Sequence, residues 1–244
     1  MTKSLHRQRI GIITGSGPEA GIDLWTKVLA ATREQLQGGY QGDLDAPELV
    51  IHSVPALGLS MELPRNDAAV WRSLAATAEA MAGQVEVYAI ACNTLNVYAA
   101  RLQALGLPAR LVSMQGVLQR HLQQQGIDRV ALLASAPVMA LDAWSAYREL
   151  PQWAQVELPA QTQALHQIIY DVKAKGGADP AVVRDFEALL AGIQAPVVLL
   201  ACTELPLIPV RDERLLDVTD LLAQELARIG QQPRDGGPVF DARS

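Results

Sequence analysis

Cysteine is nearly absent from this chain, with two residues in 244, Cys92 and Cys202. So small a number excludes a disulfide framework. A zinc site would need more ligands at closer spacing than the scattered His6, His52, His121 and His166 supply. No basic block of the kind nucleic acid requires is present, and 20 basic against 26 acidic residues leave a formal charge of -6. Long apolar runs are lacking too: the longest, 195–202, contains Pro196 and falls well short of a membrane span. The opening residues Met1-Thr2-Lys3-Ser4-Leu5-His6-Arg7 are basic, yet they lead straight into a strand pattern without a long apolar region or a small-residue cleavage site. These absences point to the reducing cytoplasm, with neither nucleic acid nor membrane as partner.

What is present is an alternation of strand and helix. Half of the residues are apolar, enough for one large core or two small ones. Strands are expected at 9–14, 49–54, 87–92, 111–114, 129–135, 156–158, 197–202 and 215–218. Between them lie helical patterns. One runs from Pro18 to about Gln37, one passes through Trp71 and Ala80 with Asn66 or Asp67 as its cap, and others start near Leu95, Val117 and Pro137. Further helices are expected at 161–175 and 180–193, with a last one ending near Ile229. Near-continuous apolar strands alternating with helices predict an α/β fold of parallel sheets covered on both faces. The pattern repeats, so two similar doubly wound domains are expected. Residues 1–115 plus 219–230 form the first and carry Cys92; residues 116–218 form the second and carry Cys202. The tail, 231–244, reads as extended or disordered.

The two cysteines have matching settings. Val87-Tyr88-Ala89-Ile90-Ala91-Cys92-Asn93-Thr94 and Val197-Val198-Leu199-Leu200-Ala201-Cys202-Thr203-Glu204 each run from an apolar strand through Ala-Cys into a polar pair. Ligands in such sheets bind outside the carboxyl ends of the strands, where both thiols fall. A helix beginning just after each thiol would favour its thiolate, and Asn93, Thr94, Thr203 and Glu204 would cap those helices or hold a carboxylate. The first loop, Thr14-Gly15-Ser16-Gly17-Pro18-Glu19-Ala20-Gly21, matches a dinucleotide fingerprint only in spacing, because no acidic residue ends the second strand. It also lacks the lysine of a phosphate-binding loop, so small-anion binding by backbone amides is its expected role. Ser16 and Gly17 in this loop, with Ser135 at the end of the strand 129–135, join the candidate substrate-binding residues.

The segments 11–20, Ala91-Cys92-Asn93-Thr94 and Ala201-Cys202-Thr203-Glu204-Leu205 together resemble the aspartate/glutamate racemase family of cofactor-independent amino-acid racemases. The resemblance extends to about residue 229. It implies two α/β domains with pseudo-twofold symmetry, an active site between them, no cofactor, a small amino-acid substrate (aspartate or glutamate) and a homodimer. It further implies that Cys92 and Cys202 are the two catalytic bases, that Asn93 and Thr94 bind the α-carboxylate, and that Glu204 supports the second cysteine.

Two segments depart from the family pattern. Where the family often carries an arginine after the second strand, this chain has Val54-Pro55-Ala56-Leu57-Gly58, with Leu57 at the corresponding position and Arg65 nearby. A family lysine near the side-chain carboxylate follows a tyrosine; in Tyr170-Asp171-Val172-Lys173-Ala174-Lys175-Gly176 both Lys173 and Lys175 are candidates beside Tyr170. Alternative readings are hydantoin racemase or maleate isomerase-like chemistry in the same superfamily, and a non-catalytic small-anion binding protein. By fold alone, an NAD-dependent enzyme is the further alternative.

Overall fold

The structure, a computed structural model, describes residues 7–234. Strand β1 (Ile10–Thr14) is buried throughout. So are β3 (Val87–Ile90) and β7 (Val198–Ala201). These strands, with β5 (Arg129–Ala134), carry apolar residues at consecutive positions because helices cover both faces of their sheets. Shorter strands flank them: β2 (Leu49–Ser53), β4 (Arg110–Leu111), β6 (Gln155–Glu157) and β8 (Leu215–Asp217).

Two four-stranded sheets result, ordered β2-β1-β3-β4 and β6-β5-β7-β8, and every pairing is parallel. The second order is the first shifted by four strands, so the chain builds the same sheet twice. Register extends the correspondence: Ile13 pairs Ile90 and Leu133 pairs Leu200, each partner lying two residues before a cysteine. In both sheets the strand order reverses beside the first-formed strand, and a crevice opens there at the carboxyl ends.

Helix α1 (Pro18–Gln35) begins at a proline, whose fixed φ suits a first turn, and buries Ala20, Leu24, Val28 and Ala31 at helical spacing. Next come α2 (Leu63–Ala82), α3 (Ala99–Gln103), α4 (Met114–Gln125), α5 (Ala136–Met139), α6 (Thr162–Lys175), α7 (Pro180–Ala191) and α8 (Val218–Gly230). One apolar cluster joins Ile10 and Ile12 to Leu132, Leu199 and Leu222 across both halves. A second lies between the first sheet and α2, around Ile13, Leu57, Leu74 and Tyr88. Helix α8 packs against α1 and α4, and Gln35 Nε2 donates to the Gln224 carbonyl at 2.9 Å. Helix α8 thus lies between α1 of the first half and α4, at the start of the second. No helix among the described residues is long and apolar enough to cross a membrane.

Several expectations need correction. Helix α2 starts before Asn66 and Asp67, so neither caps it: Asn66 donates to the Leu59 and Glu62 carbonyls, and Asp67 accepts from Tyr98 at 2.7 Å. Helix α4 starts at Met114 because Ser113 Oγ accepts from the Gly116 amide at 3.3 Å and stops the expected strand early. Short 3-10 turns, Thr94–Tyr98 and Leu205–Leu207, follow the cysteines directly; the first runs into α3, so the helix expected from about Leu95 becomes α-helical only at Ala99. Pro233 bridges to Arg7, and Gln8 N donates to the Gln232 carbonyl at 3.1 Å, so the described start of the tail lies alongside the entry to β1. The expectations for 1–6 and 235–244 lie outside the described residues.

Candidate active site

Both cysteines are free and buried, just beyond β3 and β7 at the switch points of the two sheets. The loop after β1 reaches the first thiol. It turns through Gly15 at φ 118 and Gly17 at φ 95, conformations open to glycine at little cost. That turn brings Ser16 to Cys92, whose thiol donates to Ser16 Oγ at 3.6 Å. Ser60, in the 3-10 turn Pro55–Glu62, hydrogen-bonds Ser16 at 2.8 Å and lies 4.0 Å from the same sulfur. Two hydroxyls therefore surround Cys92.

Cys202 faces a carboxylate instead. Its thiol donates to Glu204 Oε2 at 3.0 Å, and Thr203 Oγ1 donates to the same oxygen at 3.4 Å. The other Glu204 oxygen is ion-paired with Lys173 from α6. Burial pushes the Cys202 thiol well above its ordinary value, and the Glu204 charge raises it further. The expectation of a thiolate at a helix amino-terminus is thus overturned here: a 3-10 turn of three residues offers little dipole, and burial beside a carboxylate wins. For Lys173, burial works against the ammonium, but Glu204 and the nearby cysteines outweigh it and hold its pKa above the usual lysine value.

The polar residues after Cys92 bridge the halves rather than cap helices. Thr94 Oγ1 hydrogen-bonds Ser135 Oγ at 2.8 Å, and Asn93 Oδ1 accepts from buried Tyr147. Neither makes a side-chain cap to the turn that follows. With its oxygen engaged, Asn93 keeps a buried Nδ2 that has no partner, an unspent donor beside Cys92. Burial, and then the nearby Cys92, raise the Tyr147 pKa, so the phenol stays protonated and donating. On the opposite side, a Cβ at Gly17 would stand 2.2 Å from Glu204 Oε1 and 3.1 Å from Lys173 Nζ. The loop after β1 therefore abuts the Cys202 segment, while Ser135 after β5 meets the Cys92 segment.

A cavity of about 330 Å³ opens beside this cluster, lined by Gly17, Pro18, Gly58, Leu59, Met61, Glu62, Asn66, Tyr170 and Lys173. Tyr170 and Lys173 thus join the site from α6. Lys175 does not; it pairs with Asp171 at 3.3 Å on the exposed face of the same helix. Leu57 is fully buried in the core, and Arg65 is exposed outside the cavity lining. Sequence reasoning missed Ser60 and Tyr147. Ser60 lies in a 3-10 turn and Tyr147 in an irregular segment, and only the tertiary fold delivers them to Cys92 and Asn93.

Solved structures of low identity share this arrangement of two sheets. An aspartate racemase homologue from Pyrococcus horikoshii OT3 superposes with a TM-score of 0.70 at 23% identity, over 92% of this chain and 100% of that one. Picrophilus torridus aspartate racemase gives 0.75 at 19% identity, over 93% and 96%. Glutamate racemase from Francisella tularensis, in complex with D-glutamate, gives 0.60 at 14% identity, over 92% and 81%. No curated protein matches the chain. The family model for Asp/Glu/Hydantoin racemase matches residues 13–226, a span that takes in both sheets and both cysteine segments, and the chain belongs to that family.

Proposed function

We propose that this protein is an amino-acid racemase, an isomerase that interconverts L and D enantiomers through two cysteine bases without a cofactor. The observation that carries the proposal is the pair of buried thiols at equivalent switch points of two sheets with the same strand order. Membership of the racemase family supports it.

In this reading Cys202, whose thiol donates to Glu204, serves as the acid in one direction, and Cys92, beside the Ser16 and Ser60 hydroxyls, is assigned the base. Cys92 as thiolate takes the α-proton from one face of the substrate. The electron pair left behind delocalises into the α-carboxylate, where the unpartnered Asn93 amide and the Thr94 hydroxyl stand ready to bond it. Cys202 then delivers its proton to the opposite face, leaving Cys92 as thiol and Cys202 as thiolate. The enzyme in that form runs the reverse enantiomer. Aspartate and glutamate, which the resemblance implies, are the reference substrates.

Single enantiomers incubated with the protein in deuterated water should acquire α-deuterium and lose optical purity together. Replacing either base, Cys92→Ser or Cys202→Ser, is expected to cut racemisation by at least ~100-fold, the scale of a lost general acid or base. Failure of every proteinogenic amino acid to exchange would sink the proposal.

A further inference from the structure

The cavity adjoins residues that contact the partners of both thiols. Gly17 on its wall adjoins Ser16, which bonds Cys92; Leu59 and Met61 flank Ser60, which bonds Ser16. Across from them Lys173 pairs with Glu204, which accepts from Cys202. On the two-base reading, a substrate held between the thiols would reach this cavity with its side chain.

The charges of that wall are unsuited to a second carboxylate. Its one cation among the described residues, Lys173, is already bound to Glu204, and Glu62 adds a further negative charge. Among the described residues no arginine lines it. The Asn66 amide nitrogen is spent on the Leu59 and Glu62 carbonyls at 3.2 Å and 3.1 Å, leaving only its oxygen, another acceptor. What remains is Pro18, Leu59, Met61 and the Tyr170 ring, an apolar surface.

Resting on the racemase reading, we infer that the substrate is an amino acid with a neutral, largely apolar side chain rather than aspartate or glutamate. A side-chain carboxylate entering this cavity would meet Glu62 and compete with Glu204 for one ammonium, and like charges brought together at a binding surface select against the wrong partner. A methionine- or leucine-sized side chain meets only Leu59, Met61, Pro18 and the ring.

The experiment measures kcat/KM for α-deuterium exchange with L-alanine, L-methionine, L-leucine, L-aspartate and L-glutamate on the wild-type protein. A neutral substrate is expected to exceed both acidic ones by about tenfold or more. Two variants test the cause. Glu62→Gln removes the repulsion, and Leu59→Arg adds a cation at a half-exposed wall position; each should raise the acidic-to-neutral ratio several-fold. Preference for aspartate or glutamate in the wild type overturns the inference and leaves the racemase reading standing, as does a ratio that neither variant moves. Absence of exchange with every substrate overturns the racemase reading itself.

Discussion

Glu204 is the residue that makes the two thiols different. Cys202 and Cys92 occupy equivalent places, yet one faces a carboxylate and the other a pair of hydroxyls. The carboxylate disfavours the Cys202 thiolate and accepts a bond from the neutral thiol, and both effects raise its pKa on top of burial. Glu204→Gln removes the charge and frees Lys173 to face the sulfur directly. In a Cys92→Ser background, where one thiol is left, Cys202 is therefore expected to ionise at lower pH in the Gln variant than with Glu204 intact. Thiolate absorbance against pH checks the direction; an unchanged midpoint would mean that burial alone sets the thiol. The same charge pattern gives Gly17 its constraint, because any side chain there would push the Glu204–Lys173 pair apart.

At the scale of elements, capping decides where helices begin. Helix α7 starts at Pro180 because Asp179 Oδ1 accepts from the Ala181 amide at 2.9 Å and the Val182 amide at 3.3 Å. Asp179→Ala should cost about 1 kcal/mol in urea unfolding, the usual worth of such a cap. Racemisation at saturating substrate should be unaffected, since α7 does not line the cavity. The strands were legible from composition because β1, β3, β5 and β7 are covered on both faces and so must be apolar at consecutive positions. The cysteines were legible for a related reason: each closes such a run. Helix starts were less so, as Asn66 and Asp67 show, since a side chain of capping type serves equally well in a first turn or across to Tyr98. Ser60 and Tyr147 carried no signal at all. They lie in segments without periodicity, and their meeting with Ser16 and Asn93 depends on contacts 44 and 54 residues apart in sequence.

The two halves are held together at a charged junction as well as by apolar packing. Lys27 on α1 pairs with Asp23 at 2.7 Å, with Asp217 at the end of β8, and with Asp220 on α8 at 3.5 Å. Burial opposes the Lys27 charge, but Asp217 and Asp23 outweigh it and raise its pKa; burial raises those of Asp23 and Asp220. A raised lysine pKa stabilises the fold fully below the ordinary lysine value and loses that contribution as pH climbs through the folded-state value. Lys27→Met strands three carboxylates together and is expected to cost about 2 kcal/mol near neutrality. The deficit should shrink at a pH just above the ordinary carboxylate range, where the raised pKa values of Asp23 and Asp220 bring on protonation first. Urea unfolding at both pH values measures it, and a deficit that grows on acidification would refute the account.

The crossed contacts have a consequence of their own. The loop after the leading strand of each half meets the cysteine segment of the other, Gly17 against Glu204 and Ser135 against Thr94. Reciprocal contact of this kind is the mark of an isologous pair, in which one patch meets its own copy about a dyad. The two sheets of one polypeptide thus meet in the manner of such a pair, each half lending its first loop to the other's cysteine segment. A dyad through a tetrahedral carbon presents like reagents to its two opposite faces. Rotational symmetry of this kind would suit the mirror-image task proposed above, and the correspondence of Thr94 with Glu204, each two residues after its cysteine, is one place where the two halves differ.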